Sequence, residues 1–311
     1  MRVKLIAPHL IPLPRGERKL NKETRNLMKI DLHIHTSTGS DGVLPMEAVF
    51  REAGRRKIDL LSITDHDSIE HQRKAIELAG ANNLRYITGV ELNVTFLYKD
   101  KSISLDFLGY GYDYGNRAFR DKLQVIREHR VKRARQILDN LNVEFTREDR
   151  PLFTEADLQK MQEGVDGILS RPHIADYLIK KGVVGSRQEA FDRYLVKCDV
   201  PKYPLTLAEA SALVKGAGGR LVLAHPNDPN GTSLISVTKD LAEQTNIIRE
   251  YMLEFIDGIE CWHSRSDATT TKHYINFCKK HNLLMTGGSD CHQKPMLMGT
   301  LDIPDFVAGQ F

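Results

Sequence analysis

Six short segments of the chain end an apolar, strand-like run in residue types that bind metals. Their donors are Asp31, His33 and His35; Asp65, His66 and Asp67; Glu91; His225; Glu260 and His263; and Asp290 and His292. One His-x-His pair says little, because alternate residues of any strand share a face. Six such endings in order are another matter. Imidazoles and carboxylates without paired thiols are donors for divalent ions that activate water. On residue chemistry alone the chain reads as a hydrolase.

Donors so far apart in sequence need a scaffold that gathers them. Strand-like runs are predicted at 29–36, 60–64, 85–94, 103–109, 220–225, 258–262 and 283–287. Helical patterns lie between several of them: 45–57, with Pro45 at an early position; 69–79; 206–215, opened by Thr206 and Glu209 at capping-box spacing; and 269–281. Strand–helix alternation argues for a parallel sheet, and each donor cluster falls at the C-terminal end of its strand. An open sheet would concentrate function at one switch point. The expected fold is therefore α/β, a distorted seven-stranded (β/α)7 TIM-like barrel.

From 117 to 204 the alternation stops, and helices are predicted near 117–141, 154–161, 172–181 and 186–195. Such an insertion after a barrel strand builds a cap over the mouth. The expected organisation is an arm at 1–28, a barrel domain at 29–116 and 205–311, and a helical cap at 117–204. The arm lacks a clear signal-peptide core.

The chain of 311 residues carries 44 basic and 41 acidic side chains, a net +3, too small to imply a polyanion partner. Attraction for phosphate must be local. Cys198, Cys261, Cys278 and Cys291 show no metal or disulfide spacing and read as free thiols in a reducing cytoplasm. No apolar run approaches the ~20 residues that span a bilayer. Neither a membrane nor an obligate protein partner is signalled.

Anion-binding candidates sit in the insertion. Arg171 and His173 open a helix after Ser170, where a helix N-terminus favours phosphate; an ordinary surface arginine beside a capped helix is the alternative. One helix face runs Phe119, Leu123, Ile126, Arg130, Arg133, Ile137, Leu141. Arginines on an apolar stripe are costly unless they meet anions, although a solvated basic face with Arg127, Lys132 and Arg135 is the other reading. His263 is open between substrate contact, leaving-group acid, metal donor and rim residue. Asp65 and Asp67 either orient imidazoles or turn the chain out of its strand.

The ordered set His33 and His35, Asp41, residues 64–67, Glu91, residues 224–226, and Ser289, Asp290 and His292 resembles the PHP (polymerase and histidinol phosphatase) family, from about 29 to about 300. Residues 170–175 and the basic helix before them are similar to its nucleoside-bisphosphate phosphatase and exoribonuclease-like branch. The resemblance implies a distorted seven-stranded barrel, three divalent ions (Mn, Zn, Fe or Mg) and phosphoester cleavage. It places His33, His35, Glu91 and Asp290 on a first ion. Glu91 then bridges to a second with His225 and a fourth-strand residue, while Asp41, His66 and His292 hold a third. That fourth-strand residue is Asp106, where the branch often has His; a carboxylate there adds negative charge and tilts the site towards Mn or Mg over Zn.

A phosphomonoester dianion repels hydroxide, so a catalyst must both supply hydroxide at neutral pH and neutralise charge. The expected catalytic set is His33, His35, Glu91, His225, His263 and Asp290. The expected substrate contacts are Arg130, Arg133, Arg171, His173 and His263. The favoured substrate is a small phosphorylated metabolite, a nucleoside 3′,5′-bisphosphate or the 5′ end of a short RNA. Histidinol phosphate is the runner-up, and a metal- and phosphate-binding regulatory protein without turnover is the non-enzymatic alternative.

Overall fold

Ile30, Leu32 and Ile34 share one face of β1 (Ile30–Ile34) and Asp31 and His33 the other, and all five are buried. A strand covered on both faces belongs inside a parallel sheet. β1 pairs in parallel with β2 (Leu60–Ile63), which pairs in parallel with the short β3 (Arg85–Tyr86). The computed structural model describes residues 28–163, 169–229, 232–292 and 296–311; the expected arm, Met28 apart, lies outside them.

The expected strand at 85–94 is two elements in two sheets. β3 ends at Tyr86, and β4 (Gly89–Tyr98) begins a five-stranded sheet ordered β4-β5-β6-β7-β8. β4 returns directly into β5 (Lys101–Tyr110) through Lys99 and Asp100, both with positive φ (46° and 64°). Two left-handed residues make a tight hairpin, and a hairpin makes the pair antiparallel where a barrel of alternating units needs a crossover. β5 also runs antiparallel to β6 (Arg220–Leu223). Only β6, β7 (Gly258–His263) and β8 (Leu284–Gly288) continue in parallel.

The closed seven-stranded TIM-like barrel expected from the alternation is therefore not formed. The described strands make a three-stranded parallel sheet and a five-stranded mixed sheet. The two sheets share a buried cluster in which Ile30, Leu32 and Leu60 meet Leu108, Tyr110 and Val222, and isolated bridges join Ile34 with Cys291 and His66 with Glu91. Both bridges lie at donor residues or beside them, so the junctions between the sheets are where the donors meet.

Helices pack outside the sheets. α1 (Met46–Arg56) starts behind Pro45, which is its N-cap, and stops at Lys57 in the left-handed region. α2 (Gln72–Ala81) starts three residues later than the pattern suggests. α3 (Arg117–Arg147) is followed by α4 (Glu155–Glu163), α5 (Arg171–Lys180) and α6 (Arg187–Ala190), the last running into a π-helical turn, Phe191–Leu195. α7 (Leu207–Gly216) carries the anticipated capping box of Thr206 and Glu209. α8 (Leu241–Tyr251), capped by Asp240, was not expected from its sparse apolar pattern, and α9 (Ala268–His281) follows β7. Among the described residues no helix is long and apolar enough to cross a membrane.

α3 serves two cores. Phe119, Leu123 and Ile126 join Val90, Leu92 and Phe107 of the five-stranded sheet. Ala134, Ile137, Leu141 and Phe145 join Leu178 and Tyr194 in a separate cluster. Arg130 and Arg133 sit between these stretches, where the helix passes from one core to the other.

Candidate active site

β1 delivers His33 and, one residue past its end, His35. β8 must approach closely to bring Asp290 alongside. A Cβ on Gly288 would fall 2.3 Å from the His33 backbone nitrogen and Cβ, so only glycine permits this contact. Asp290 then donates its backbone N–H to the His33 carbonyl (2.9 Å). Asp31 secures the same junction by accepting from the N–H groups of Ser289 (2.9 Å) and Gly299 (2.8 Å). Asp65 accepts from Thr36 N–H (2.7 Å) and from the hydroxyls of Thr36 (2.7 Å) and Ser40 (2.9 Å), bracing the loop that carries Asp41.

The imidazoles and carboxylates converge. The Nε2 atoms of His33 and His35 lie 3.5 and 3.2 Å from Glu91 Oε2, and each lies 3.4 Å from Asp290 Oδ1. His66 Nδ1 is 3.0 Å from Glu91 Oε2, and His292 Nε2 is 3.4 Å from Asp41 Oδ1. His225 Nε2 lies 2.9 Å from Glu91 Oε1 and 4.0 Å from Asp106 Oδ2. Among the described residues, three of the four groups of donor atoms that lie within 4.8 Å of one another gather around these contacts: His35, Asp41, His66 and His292; His33, His35 and Glu91; and Glu91, Asp106 and His225.

Asp41 Oδ1, Glu91 Oε2 and Asp290 Oδ1 are buried and have no hydrogen-bond partner among the described residues. An anionic oxygen left bare inside a protein is expensive, and ring nitrogens at 3.0–3.5 Å that do not donate to it leave that cost standing. A cation between them removes it. The donors are nitrogen and carboxylate oxygen without thiolate, the set that suits Mn, Fe, Zn or Mg. The residues fit divalent ions.

Electrostatics agree. Burial works against charge on Glu91, yet His66, His33 and His225 hold its carboxyl well below the usual range. Asp290 is likewise depressed by His292 and His33 against its burial, and Asp41 by His66 and His292. Burial disfavours a charged His225, but Glu91 overrides it and pushes the ring up to about 9. Asp106 differs: burial, with the Glu91 charge beside it, raises its carboxyl to about 6. Asn93 Nδ2 donates to Asp106 Oδ1 (2.5 Å) and the Thr232 hydroxyl donates to Oδ2.

The expected phosphate contacts are placed unequally. Arg130 is paired with Asp67, its Nε 2.9 Å from Oδ2. Arg133 donates to the Val200 carbonyl (2.5 Å) and pairs with Asp199, and Arg171 Nη1 also reaches Asp199 (2.6 Å) with its guanidinium 5.4 Å over the Phe191 ring. His173 Nδ1 accepts from Ser170 N–H (3.0 Å), so that nitrogen is used by the helix cap. His263 Nε2 sits 3.3 Å from Asp290 Oδ2.

Several side chains at the site had no role assigned from the sequence, Glu260 having been noted only as a donor type at a strand end. Glu260 binds His33 Nδ1 through Oε1 (3.0 Å) and accepts from His225 N–H through Oε2 (2.8 Å). Strand parity sets Glu260 and His263 on opposite faces, but a register shift between Glu260 and Trp262 turns both inward. Lys202, half-buried, donates to Ser104 Oγ (3.4 Å), which donates to Asn93 Oδ1 (2.9 Å), the residue that holds Asp106. Arg265 bonds both Asp228 and Asp290. Lys202 and Arg265 stand in loops without periodicity; only their charge could have drawn notice.

Two junction-linked sheets with a buried imidazole–carboxylate cluster define a metal-dependent hydrolase. The PHP-domain model matches residues 31–258, and the chain belongs to that family. The 3′,5′-nucleoside bisphosphate phosphatase of Chromobacterium violaceum is 27% identical over 277 residues, covering 86% of this chain and 88% of the relative. The 5′-3′ exoribonuclease Rnm of Escherichia coli is 28% identical, covering 87% of each. A solved structure described as a metal-dependent phosphoesterase, from Bifidobacterium adolescentis, superposes with a TM-score of 0.75 at 27% identity, over 91% of this chain and 95% of that one. This protein is a metal-dependent phosphoesterase.

Proposed function

We propose that the protein removes a phosphate monoester from a nucleotide, either a nucleoside 3′,5′-bisphosphate or the 5′ end of a short RNA, at a centre of three divalent ions. The observation that carries this is the sharing of donors: Glu91 belongs to two of the three groups and His35 to two. The names of the relatives from Chromobacterium violaceum and Escherichia coli support the nucleotide.

When bound, the ions supply a hydroxide-like water and neutralise phosphoryl charge. The chain's own residues set the rest. Glu260 fixes the His33 ring through Nδ1, leaving Nε2 for the cluster. His263, held against Asp290, carries a proton towards the leaving oxygen. Arg130 receives the phosphate beside Asp67, with Arg133, Arg171 and His173 further out on residues 117–204, which we treat as a cap because they hold an apolar cluster of their own. Asp106 tilts the centre towards Mn or Mg. Four cysteines without disulfides support a reducing cytoplasm as the setting.

Phosphate release should be measured with Mn across mononucleotides, nucleoside bisphosphates, 5′-phosphorylated short RNAs and histidinol phosphate. The nucleotides should turn over best, and chelation should stop the reaction. Preference for histidinol phosphate, or for phosphodiesters over every monoester, would sink the substrate assignment.

A further inference from the structure

Asp228, His263 and Asp290 form a fourth group of potential metal donors, their atoms within 4.8 Å of one another. A side chain already supplies positive charge there. Arg265 Nε donates to Asp228 Oδ1 (2.8 Å), and its Nη2 donates to Asp228 Oδ2 (2.6 Å) and to Asp290 Oδ2 (2.5 Å). The guanidinium thus bridges the loop after β6 to Asp290, two residues past the end of β8.

We propose that Arg265 is a phosphoryl-binding residue of this site, fixed along one edge by Asp228 and presenting its Nη1 edge to a non-bridging oxygen of the substrate phosphate. A guanidinium has five N–H donors in a rigid fork, and the two carboxylates take three of them. The Nη1 pair makes no hydrogen bond among the described residues, and the side chain is 35% exposed. The anchor is firm. Asp228 is buried, its N–H donates to the His225 carbonyl (3.1 Å), and its own carbonyl accepts from the Ser233 hydroxyl (2.6 Å).

Position decides the ligand. Asp290 divides its carboxylate: Oδ2 takes Arg265, while the bare Oδ1 faces His33 and His35 at 3.4 Å. Arg265 is therefore one carboxylate away from the donor cluster. A planar cation held there without further reorganisation suits a phosphoryl group whose negative charge must be met as it reacts. Arg133 and Arg171, by contrast, share Asp199 on the insertion. A loop brace alone would need the Asp228 pair but not the unfilled Nη1 edge, and a lysine could keep the charge pair but not the fork.

The test uses Mn-loaded full-length protein with Arg265→Lys and Arg265→Ala. Both should lose about 100-fold in kcat/KM and weaken competitive inhibition by inorganic phosphate about tenfold. Metal content and unfolding temperature should stay close to those of the parent, and added guanidinium should restore part of the turnover of Arg265→Ala. Unchanged phosphate inhibition overturns the proposal, as does a loss of activity that merely tracks lost metal or lost fold. If neither variant folds, arginine-directed dicarbonyl labelling of the parent decides: inorganic phosphate should protect Arg265, and labelling indifferent to phosphate refutes the assignment. Because this readout is phosphate itself, it stands apart from the nucleotide assignment.

Discussion

Under the proposed assignment, Asp106 is the residue on which metal preference would turn. Its two oxygens are held by Asn93 and Thr232, and it faces Glu91 and His225 across one donor group. A carboxylate favours harder ions, an imidazole favours Zn. Asp106→His should therefore keep the protein folded and shift competition between Mn and Zn towards Zn by about tenfold, measured as bound metal after equilibration with both. Unchanged selectivity would mean that Asp106 is not a donor. Glu260 shows how neighbouring residues complete such a site: one carboxylate touches the His33 ring and the His225 backbone at once. Its type was visible at a strand end; its direction was not, because the irregularity after it reverses the face that simple alternation assigns.

At the scale of elements, α3 and α5 show what patterning conveys and what it leaves out. The apolar stripe of α3 was readable, and so was the anomaly of two arginines within it. Alternation could not tell that the stripe divides between two cores, nor that Arg133 and Arg171 would meet at Asp199. Asp157 on α4 ties this helical region together, accepting from Thr154 N–H (2.9 Å), the Tyr177 hydroxyl (2.7 Å) and Lys181 (3.0 Å). Burial favours its neutral form, but these donors hold its carboxyl well below the usual range. A depressed folded pKa gives stability that is present above the unfolded value, about 3.9, and is lost as pH falls towards the folded one. Asp157→Asn should lose about 1–3 kcal/mol at pH 7. Its urea midpoint should also fall less than the parent's between about pH 5 and pH 3. Parallel acid curves for the two proteins would exclude Asp157 as the source.

Across the whole molecule, the site lies where two sheets meet, and three buried carboxylate oxygens there have no hydrogen-bond partner among the described residues. Cations that satisfy those oxygens in the folded chain only must stabilise it. Adding Mn to metal-stripped protein should raise the unfolding temperature, with about 2.7 kcal/mol gained at one hundred times the dissociation constant. Chelation should reverse the gain, and an unfolding curve indifferent to Mn would contradict the donor assignment.

The strand-end donors, the capping box at Thr206, the run of helices after residue 116 and the expectation of a metal hydrolase were legible in the sequence, because each is a matter of residue type at short spacing; phosphoester cleavage followed from the family resemblance. Tertiary structure alone decided the rest. A two-residue turn at Lys99 and Asp100 replaced the closed barrel with two sheets. A glycine at 288 let β8 press against β1, and loop residues Lys202, Asp228 and Arg265 arrived from distant sequence. Donor chemistry is local and leaves a local signature. Which oxygens stay bare and which cation meets them depends on contacts between segments far apart in the chain, and those leave none.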